Sequence, residues 1–227
     1  MIGAAPGWVD PDGPAVLIMA RAPRRGDVRR ALEPVIAVDG CVTLQSALLV
    51  QTCRWATAMQ PRSIDVVHDP PDAGPELHKL LGNGIGTFPQ NGEGISGRLA
   101  DASARVFARG PGPLLIVWPD VPQLRPAHAT AALRDLEAGV DVVFGPVYGG
   151  GFYLVGVPEP IPELFTLPER LWREADALAI GKAALPDRPC EVGILRPERA
   201  LQRPSDVRAA LADPTLPKVI ARALRRG

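Results

Sequence analysis

The chain has 227 residues, which suits one α/β domain with a modest extension better than two domains. Its 25 Lys and Arg residues balance its 25 Asp and Glu residues, so no overall charge favours nucleic acid or an anionic membrane as a partner. No apolar run reaches the roughly 20 residues that cross a bilayer. The three cysteines form no C-x-x-C pair and the N-terminus lacks a basic signal-peptide region, so we expect a cytoplasmic protein with reduced thiols.

Short apolar runs alternate with helical patterns along the chain. Strands are predicted at 15–20, 64–68, 114–118, 140–145, 152–157 and 191–195. Helices are predicted at 42–59, 95–106, 127–138, 167–185, 205–212 and 216–226. This alternation predicts an α/β domain at residues 15–227, after a tail at residues 1–14. Its sheet would be mostly parallel with helices on both faces, and such sheets bind ligands beyond the carboxyl ends of their strands.

An arginine-rich loop follows the first predicted strand. We expect this loop to hold a diphosphate, because guanidinium groups match phosphate oxygens two hydrogen bonds at a time. A solvated basic loop is the alternative interpretation. The candidate diphosphate-binding residues are Ala20, Arg21, Arg24, Arg25, Gly26 and Arg29.

Asp120 follows the strand predicted at 114–118 and lies between Pro119 and Pro122. Carboxylates hold Mg²⁺ together with substrate phosphates, so Asp120 is a candidate ligand of Mg²⁺ or Mn²⁺ and a candidate catalytic residue. An aspartate that bonds its own backbone in a turn fits the spacing equally well.

A glycine run joins the strands predicted at 140–145 and 152–157. Gly149, Gly150 and Gly151 allow a ligand close to the backbone, and Tyr148 and Tyr153 could stack on a base or a sugar. A tight turn with core aromatic residues is the plainer interpretation. The polar segment 90–94 could bind a nucleotide through backbone N–H groups at a helix start.

Three motifs in this order resemble the bacterial DUF2064 family of GT-A-like proteins. They are the segment 17–26, the segment 118–124 with Trp-Pro-Asp-Val-Pro, and the segment 145–156 with Gly-Pro-x-x-Gly-Gly-Gly. The resemblance runs from about residue 15 to residue 207. It implies a three-layer, Rossmann-like nucleotide-diphospho-sugar transferase fold.

Several acidic residues of the family pattern are absent from this chain. Tyr148 and Gly149 replace an Asp-Asp pair, the segment 200–204 lacks the closing acids, and an acid is missing near Gly94, although Arg98 remains as a diphosphate-binding candidate. A metal-dependent transferase would be impaired by this loss. Glu174 and Asp176 lie near the family's Trp-Gly-Thr-Asp region and are candidates for a catalytic base.

The resemblance implies a glycosyltransferase-like enzyme that uses a nucleotide-sugar donor and a small acceptor. A nucleotidyltransferase resembling guanylyltransferases would need the same phosphate-binding loop, and a catalytically inactive nucleotide- or partner-binding relative is the third hypothesis. The closing helix predicted at 216–226 could cover its own domain or pack on a second copy, so both a monomer and a homodimer remain open.

Overall fold

The computed structural model describes residues 13–174, 176–185 and 187–225, so most of the predicted tail lies outside the described residues. It contains a sheet of seven strands. They are β1 (Ala15–Arg21), β2 (Ser63–Asp69), β3 (Gly86–Pro89), β4 (Leu114–Val117), β5 (Val142–Pro146), β6 (Phe152–Val157) and β7 (Val192–Ile194). All six strands predicted from the sequence are confirmed.

The strand order is β3-β2-β1-β4-β6-β5-β7, and only β6 runs antiparallel to its neighbours within this sheet. The register pairs Val16 with Ile64 of β2 and with Leu115 of β4. The expected mostly parallel sheet is therefore confirmed. Because β6 reverses direction, the β5–β6 turn reaches the same edge as the carboxyl ends of β1 and β4.

Helices cover both faces of the sheet, as the α/β pattern predicts. They are α1 (Glu33–Ala58), α2 (Gly74–Leu81), α3 (Gly94–Phe107), α4 (Pro126–Glu137), α5 (Glu169–Glu174), α6 (Ala177–Ala184), α7 (Pro204–Ala212) and α8 (Lys218–Arg225). Along β1, Val16 and Ile18 face a core shared with α1, α2 and α4, while Leu17 and Met19 face a core shared with α3, α5 and α6. This alternation explains the unbroken apolar run, since both faces of the strand are buried.

Two helix predictions needed correction, and a third helix was missed. The helix predicted at 42–59 begins at Glu33, with a backbone kink at Ala37. The helix predicted at 167–185 is two helices, because the Asp176 side chain caps α6 by accepting a hydrogen bond from the Ala179 N–H at 3.0 Å. Helix α2 was not predicted. It is only eight residues long and its proline-rich flanks resemble a loop.

The helical stretch Arg30–Ala58 is long and apolar enough to cross a membrane by length and composition alone. In this fold its apolar residues Leu49 and Trp55 pack in the core beneath the sheet. Leu44 and Leu48 pack against Ile220 of α8, so α8 covers its own domain. These are the contacts of a core helix in an α/β fold.

Candidate functional site

An open cleft of about 850 Å³ lies at the carboxyl edge of the sheet. Its walls come from the loops after β1 and β4, the β5–β6 turn, and the first residues of α3 and α5. The polar, charged and glycine residues among its lining are Arg21, Arg29, Arg30, Gln45, Gln90, Gly94, Arg98, Asp120, Gly149, Gly150, Gly151, Glu169 and Gln202. The edge expected to bind a ligand therefore does carry a cavity of suitable size.

Arg29 holds the base of the cleft together. Its guanidinium donates hydrogen bonds to the Gln45 Oε1 at 2.8 Å, the Leu201 carbonyl at 2.8 Å and the Pro119 carbonyl at 3.0 Å. It also donates to the Asp120 Oδ1 at 2.8 Å. Only 7% of the Arg29 side chain is exposed. Arg29 thus positions Asp120, and its donors are directed to the protein itself.

Two other arginines of the predicted diphosphate loop are engaged away from the cleft. Arg24 donates to the carboxylates of Asp72 and Glu76, both at 2.9 Å, and its hydrogen bond with Asp72 raises the pKa of Arg24. Arg25 forms an ion pair with Asp39. Neither side chain lines the cleft, so their predicted diphosphate contacts need correction: local acidic partners hold both groups.

The arginines that do line the cleft are Arg21, Arg30 and Arg98, besides the buried Arg29. The Arg21 side chain is 60% exposed. Arg30 was not predicted as a site residue. It directly follows Arg29, whose backbone is left-handed. Ala20 lines the cleft as expected, whereas Gly26 shapes the exposed turn outside it, with φ of 77°.

The polar segment predicted to bind a nucleotide joins β3 to α3. Gln90 donates its side-chain N–H groups to the carbonyls of Ala20 at 3.2 Å and Val67 at 3.0 Å. Its Oε1 accepts a hydrogen bond from Arg98 at 3.2 Å. Gln90 therefore links the strand ends and fixes Arg98 at the cleft wall.

The glycine run lines the main cleft, whereas the tyrosines on either side of it lie elsewhere. Residues 149–151 line the main cleft, but Tyr148 is 59% exposed and lines a second cleft of about 390 Å³, where Arg199 stacks on its ring at 5.9 Å. Tyr153 is fully buried, with its ring packed on Gly145 and its hydroxyl bonded to a backbone carbonyl. The prediction that both tyrosines line the donor pocket is corrected: one belongs to the other cleft and one to the core.

The two candidate bases on the α5–α6 segment are not brought into the cleft. Asp176 caps α6 and is absent from the lining residues. Glu174 is the last residue of α5, and its side chain lies outside the described part of the structure. Neither residue gains support as a catalytic group from this geometry.

A second carboxylate in the cleft, from Glu169, escaped the sequence analysis. Glu169 is the first residue of α5, and its Oε1 accepts a hydrogen bond from the Ile95 N–H at 3.1 Å. It lies against Gly94. No sequence signal could have shown this approach, because about 75 residues separate the two positions and only the folded chain brings them together.

The cleft does not have the donor set of a metal site. Within the described residues, no group of three or more His, Cys, Asp or Glu side chains could hold a metal ion. Asp120 is the predicted metal ligand, but its Oδ1 is already bonded to the buried guanidinium of Arg29. A fixed positive charge so close to Asp120 opposes a cation at that carboxylate.

The model of the DUF2064 family, described as uncharacterized proteins conserved in bacteria, matches residues 50–167. The chain belongs to the DUF2064 family. The match includes β4, the Asp120 loop, the glycine run and the start of α3. No curated protein sequence is similar enough to this DUF2064 member to count as a relative.

Solved structures share the fold of this DUF2064 protein. One from Desulfovibrio desulfuricans G20, provisionally assigned as a nucleotide-diphospho-sugar transferase, has a TM-score of 0.80 at 19% identity, covering 94% of each chain. The 4-diphosphocytidyl-2C-methyl-D-erythritol synthase from Anaerococcus prevotii DSM 20548 has a TM-score of 0.58 at 12% identity, over 87% of this chain and 95% of that chain. Rv0371c from Mycobacterium tuberculosis H37Rv, solved in complex with manganese, has a TM-score of 0.53 at 16% identity, over 88% of this chain and 98% of that chain. These likenesses establish the nucleotide-diphospho-sugar transferase type of fold.

Proposed function

We propose that this protein is a cytoplasmic transferase that binds a nucleoside-diphosphate sugar in the main cleft and passes the sugar to a small acceptor. The observation that carries the proposal is the Arg29–Asp120 pair, held at the ligand-binding edge of the sheet beneath a rim of further arginines. The fold shared with a provisionally assigned nucleotide-diphospho-sugar transferase supports the same class of donor.

Arginines on the cleft wall supply the charge that the leaving diphosphate needs. Transfer breaks the bond between the sugar carbon and a diphosphate oxygen, and the negative charge grows on that oxygen. Arg21, Arg30 and Arg98 line the cleft and can offer fixed positive charge there. The proposal therefore assigns these three groups to the diphosphate and takes no step through a metal ion.

The remaining walls suit the other parts of a nucleotide-sugar. The Asp120 carboxylate is oriented by Arg29 and is 33% exposed, so it can accept hydrogen bonds from sugar hydroxyl groups. The glycines at 149–151 each have positive φ and present no side chain to the cleft. A ligand ring can therefore approach the backbone closely along that wall.

Isothermal titration of the purified chain with UDP, GDP, CDP and their common sugar conjugates tests this proposal directly. We expect binding of at least one conjugate, and about tenfold weaker binding in Arg30→Ala and Arg98→Ala, because each removes a charge-assisted hydrogen bond. Arg222→Ala on α8 removes the same charge from an exposed position outside the cleft and should leave the affinity unchanged. Absence of binding to every nucleotide would overturn the proposal.

Two alternative functions share this cleft and need separate assays. Because Asp120 is tied to Arg29 and the described residues hold no metal cluster, a nucleotide-binding protein without catalysis is the second candidate. It predicts binding without turnover. A nucleotidyltransferase, the other enzyme class that the phosphate-binding loop suggests, predicts pyrophosphate release from a nucleoside triphosphate and a sugar phosphate. Assays for released nucleoside diphosphate and for released pyrophosphate separate the three outcomes.

A further inference from the structure

We infer that Glu169 is a second ligand-positioning carboxylate of the main cleft and that it accepts hydrogen bonds from hydroxyl groups on the sugar part of the ligand. This inference rests on the proposed function, and it names the part of the ligand that each wall of the cleft recognises. Four observations support it.

The first observation is where Glu169 lies. It lines the main cleft at the start of α3, where its Oε1 accepts the Ile95 N–H hydrogen bond. The unsatisfied N–H groups and the dipole of a helix start favour a negatively charged group. The carboxylate is thus held in place by α3 while it remains on the surface of the cleft.

The second observation is that Gly94 makes room for this carboxylate. Gly94 has φ of 64°, and a Cβ atom at this residue would overlap the Glu169 Oε1. Any side chain at residue 94 would therefore displace Glu169 from the helix start. Glycine at residue 94 therefore leaves space for the Glu169 carboxylate.

The third observation is that the segment carrying Glu169 is anchored on both sides. Ser96 donates its hydroxyl hydrogen to the Leu167 carbonyl at 2.7 Å, which ties the start of α3 to the residues just before α5. On α5 itself, Trp172 packs edge-on to Phe152 at 6.3 Å and stacks with Phe165 at 6.4 Å between ring centroids. Glu169 is thus positioned by packing as well as by its own hydrogen bond.

The fourth observation is an unused hydrogen-bond donor three residues further along α5. Trp172 lines the same cleft and is 4% exposed, yet its indole N–H is buried with no partner among the described residues. Buried donors normally have a partner. A sugar hydroxyl can accept from one group and donate to another, so it matches a donor and a carboxylate on one short helix.

The charges in the cleft separate the two ends of the ligand. Arg21, Arg30 and Arg98 attract a diphosphate, whereas the carboxylates of Asp120 and Glu169 repel it and accept hydrogen bonds from hydroxyl groups. A nucleoside-diphosphate sugar carries both kinds of group. We therefore expect Glu169 to contribute to affinity for the sugar conjugate and not to affinity for the parent nucleoside diphosphate.

Glu169→Gln tests this expectation with the shape of the side chain preserved. The probes are UDP and GDP on one side and UDP-glucose, UDP-N-acetylglucosamine and GDP-mannose on the other, titrated by calorimetry. We expect about a tenfold loss of affinity for the conjugate that binds the wild-type chain, with affinity for its parent diphosphate unchanged or slightly increased. Glu163→Gln removes the same charge at an exposed position in the preceding turn and should change neither value.

A relocation variant excludes a purely structural role. In Glu169→Ala with Gly94→Asp, the carboxylate is supplied from α3 itself, and aspartate tolerates the left-handed backbone of residue 94 better than most residues. We expect Glu169→Ala alone to lose conjugate affinity and the double variant to regain most of it. Thermal melting confirms that each variant is folded.

The outcomes separate this inference from the proposed function. Two results for Glu169→Gln would overturn the role of Glu169: an equal loss of affinity for the diphosphate and the conjugate, or no loss at all. A wild-type chain that binds diphosphates no worse than their conjugates would overturn it as well. All three results leave nucleotide binding intact. If the wild-type chain binds no nucleotide of any kind, the proposed function fails and this inference fails with it.

Discussion

Replacing Arg29 should damage the fold of the protein more than any other arginine at the cleft. Arg29→Ala removes four hydrogen bonds, to Gln45, Leu201, Pro119 and Asp120, from a side chain that is only 7% exposed. These bonds join the loops after β1 and β4 to the segment before α7. We therefore expect a lower free energy of unfolding as well as lost binding.

The magnitude follows from those four contacts. Each hydrogen bond contributes about 1 kcal/mol net, which gives roughly 4 kcal/mol for the set. The Asp120 end is 33% exposed and water can enter from the cleft, so the ionic contribution is reduced towards that of a surface pair. The expected loss is about 2–4 kcal/mol, a large part of the roughly 5–15 kcal/mol that stabilises a typical domain.

The backbone of residue 29 provides an internal control. Its φ of 52° lies in the left-handed region, where glycine avoids a cost of about 1–2 kcal/mol. Arg29→Gly should therefore be about 1 kcal/mol more stable than Arg29→Ala, although both lack the guanidinium. Arg and Ala both bear this backbone cost, so the difference between Arg29→Ala and the wild-type chain isolates the side-chain contacts, and the difference between Arg29→Gly and Arg29→Ala measures the backbone cost.

Urea unfolding followed by circular dichroism measures these differences. Arg30→Ala is the matched comparison, because Arg30 is an exposed neighbour and its loss should change stability by no more than about 0.5 kcal/mol. If Arg29→Ala and Arg30→Ala unfold at the same urea concentration with equal slopes, Arg29 does not organise the cleft and the positioning role is refuted.

Two further predictions concern the sheet. Gly145→Ala places a Cβ atom 2.5–2.8 Å from three ring atoms of the buried Tyr153, so it should destabilise the fold by about 1–3 kcal/mol in urea unfolding. Gly84→Ala, which has no atom within 4 Å of the new Cβ, should leave stability nearly unchanged. Equal effects of the two substitutions would contradict this packing. A hydrogen bond from Arg188 lowers the pKa of Asp141 below its ordinary value of 3.8. Stability from this group is therefore present above that value and is lost as the pH falls through the lower folded-state pKa. Asp141→Asn should lower the melting temperature at pH 7 and flatten its fall in acid, and an unchanged acid limb would disprove the linkage.

The sheet could be predicted because each strand is recognisable from its own short stretch of sequence. The apolar run at 15–20 is buried on both faces. Strand β4 is a similar apolar run that stops shortly before Pro119. Each of these segments therefore contains enough information to predict a strand. Helix α2 was missed because its apolar positions, Leu77 and Leu81, are too few for a periodic pattern in an eight-residue element. Short elements depend on the core they pack against, which local sequence does not describe.

The site could be predicted only where a single loop contains the features that mark a residue. Asp120 stands out because it follows a buried strand between two prolines, and that expectation of position is supported. The role of Arg29 could not be predicted, since its partner Leu201 is 172 residues further along the chain. The same limitation applies to Glu169, whose approach to Gly94 depends on the packing of α5 against α3. The arginine count and the position after β1 suggested a diphosphate loop, but Asp72, Glu76 and Asp39 hold two of its arginines outside the cleft.

The Arg29 contacts also have a consequence for the synthesis of this protein. A ribosome releases β1, α1 and β4 well before the segment that contains Leu201, so the guanidinium has only part of its final set of partners until residue 201 emerges. Nascent or C-terminally shortened chains can then contain most of the sheet and still lack an ordered cleft. The cleft is then complete only after the segment that contains Leu201 has packed against Arg29.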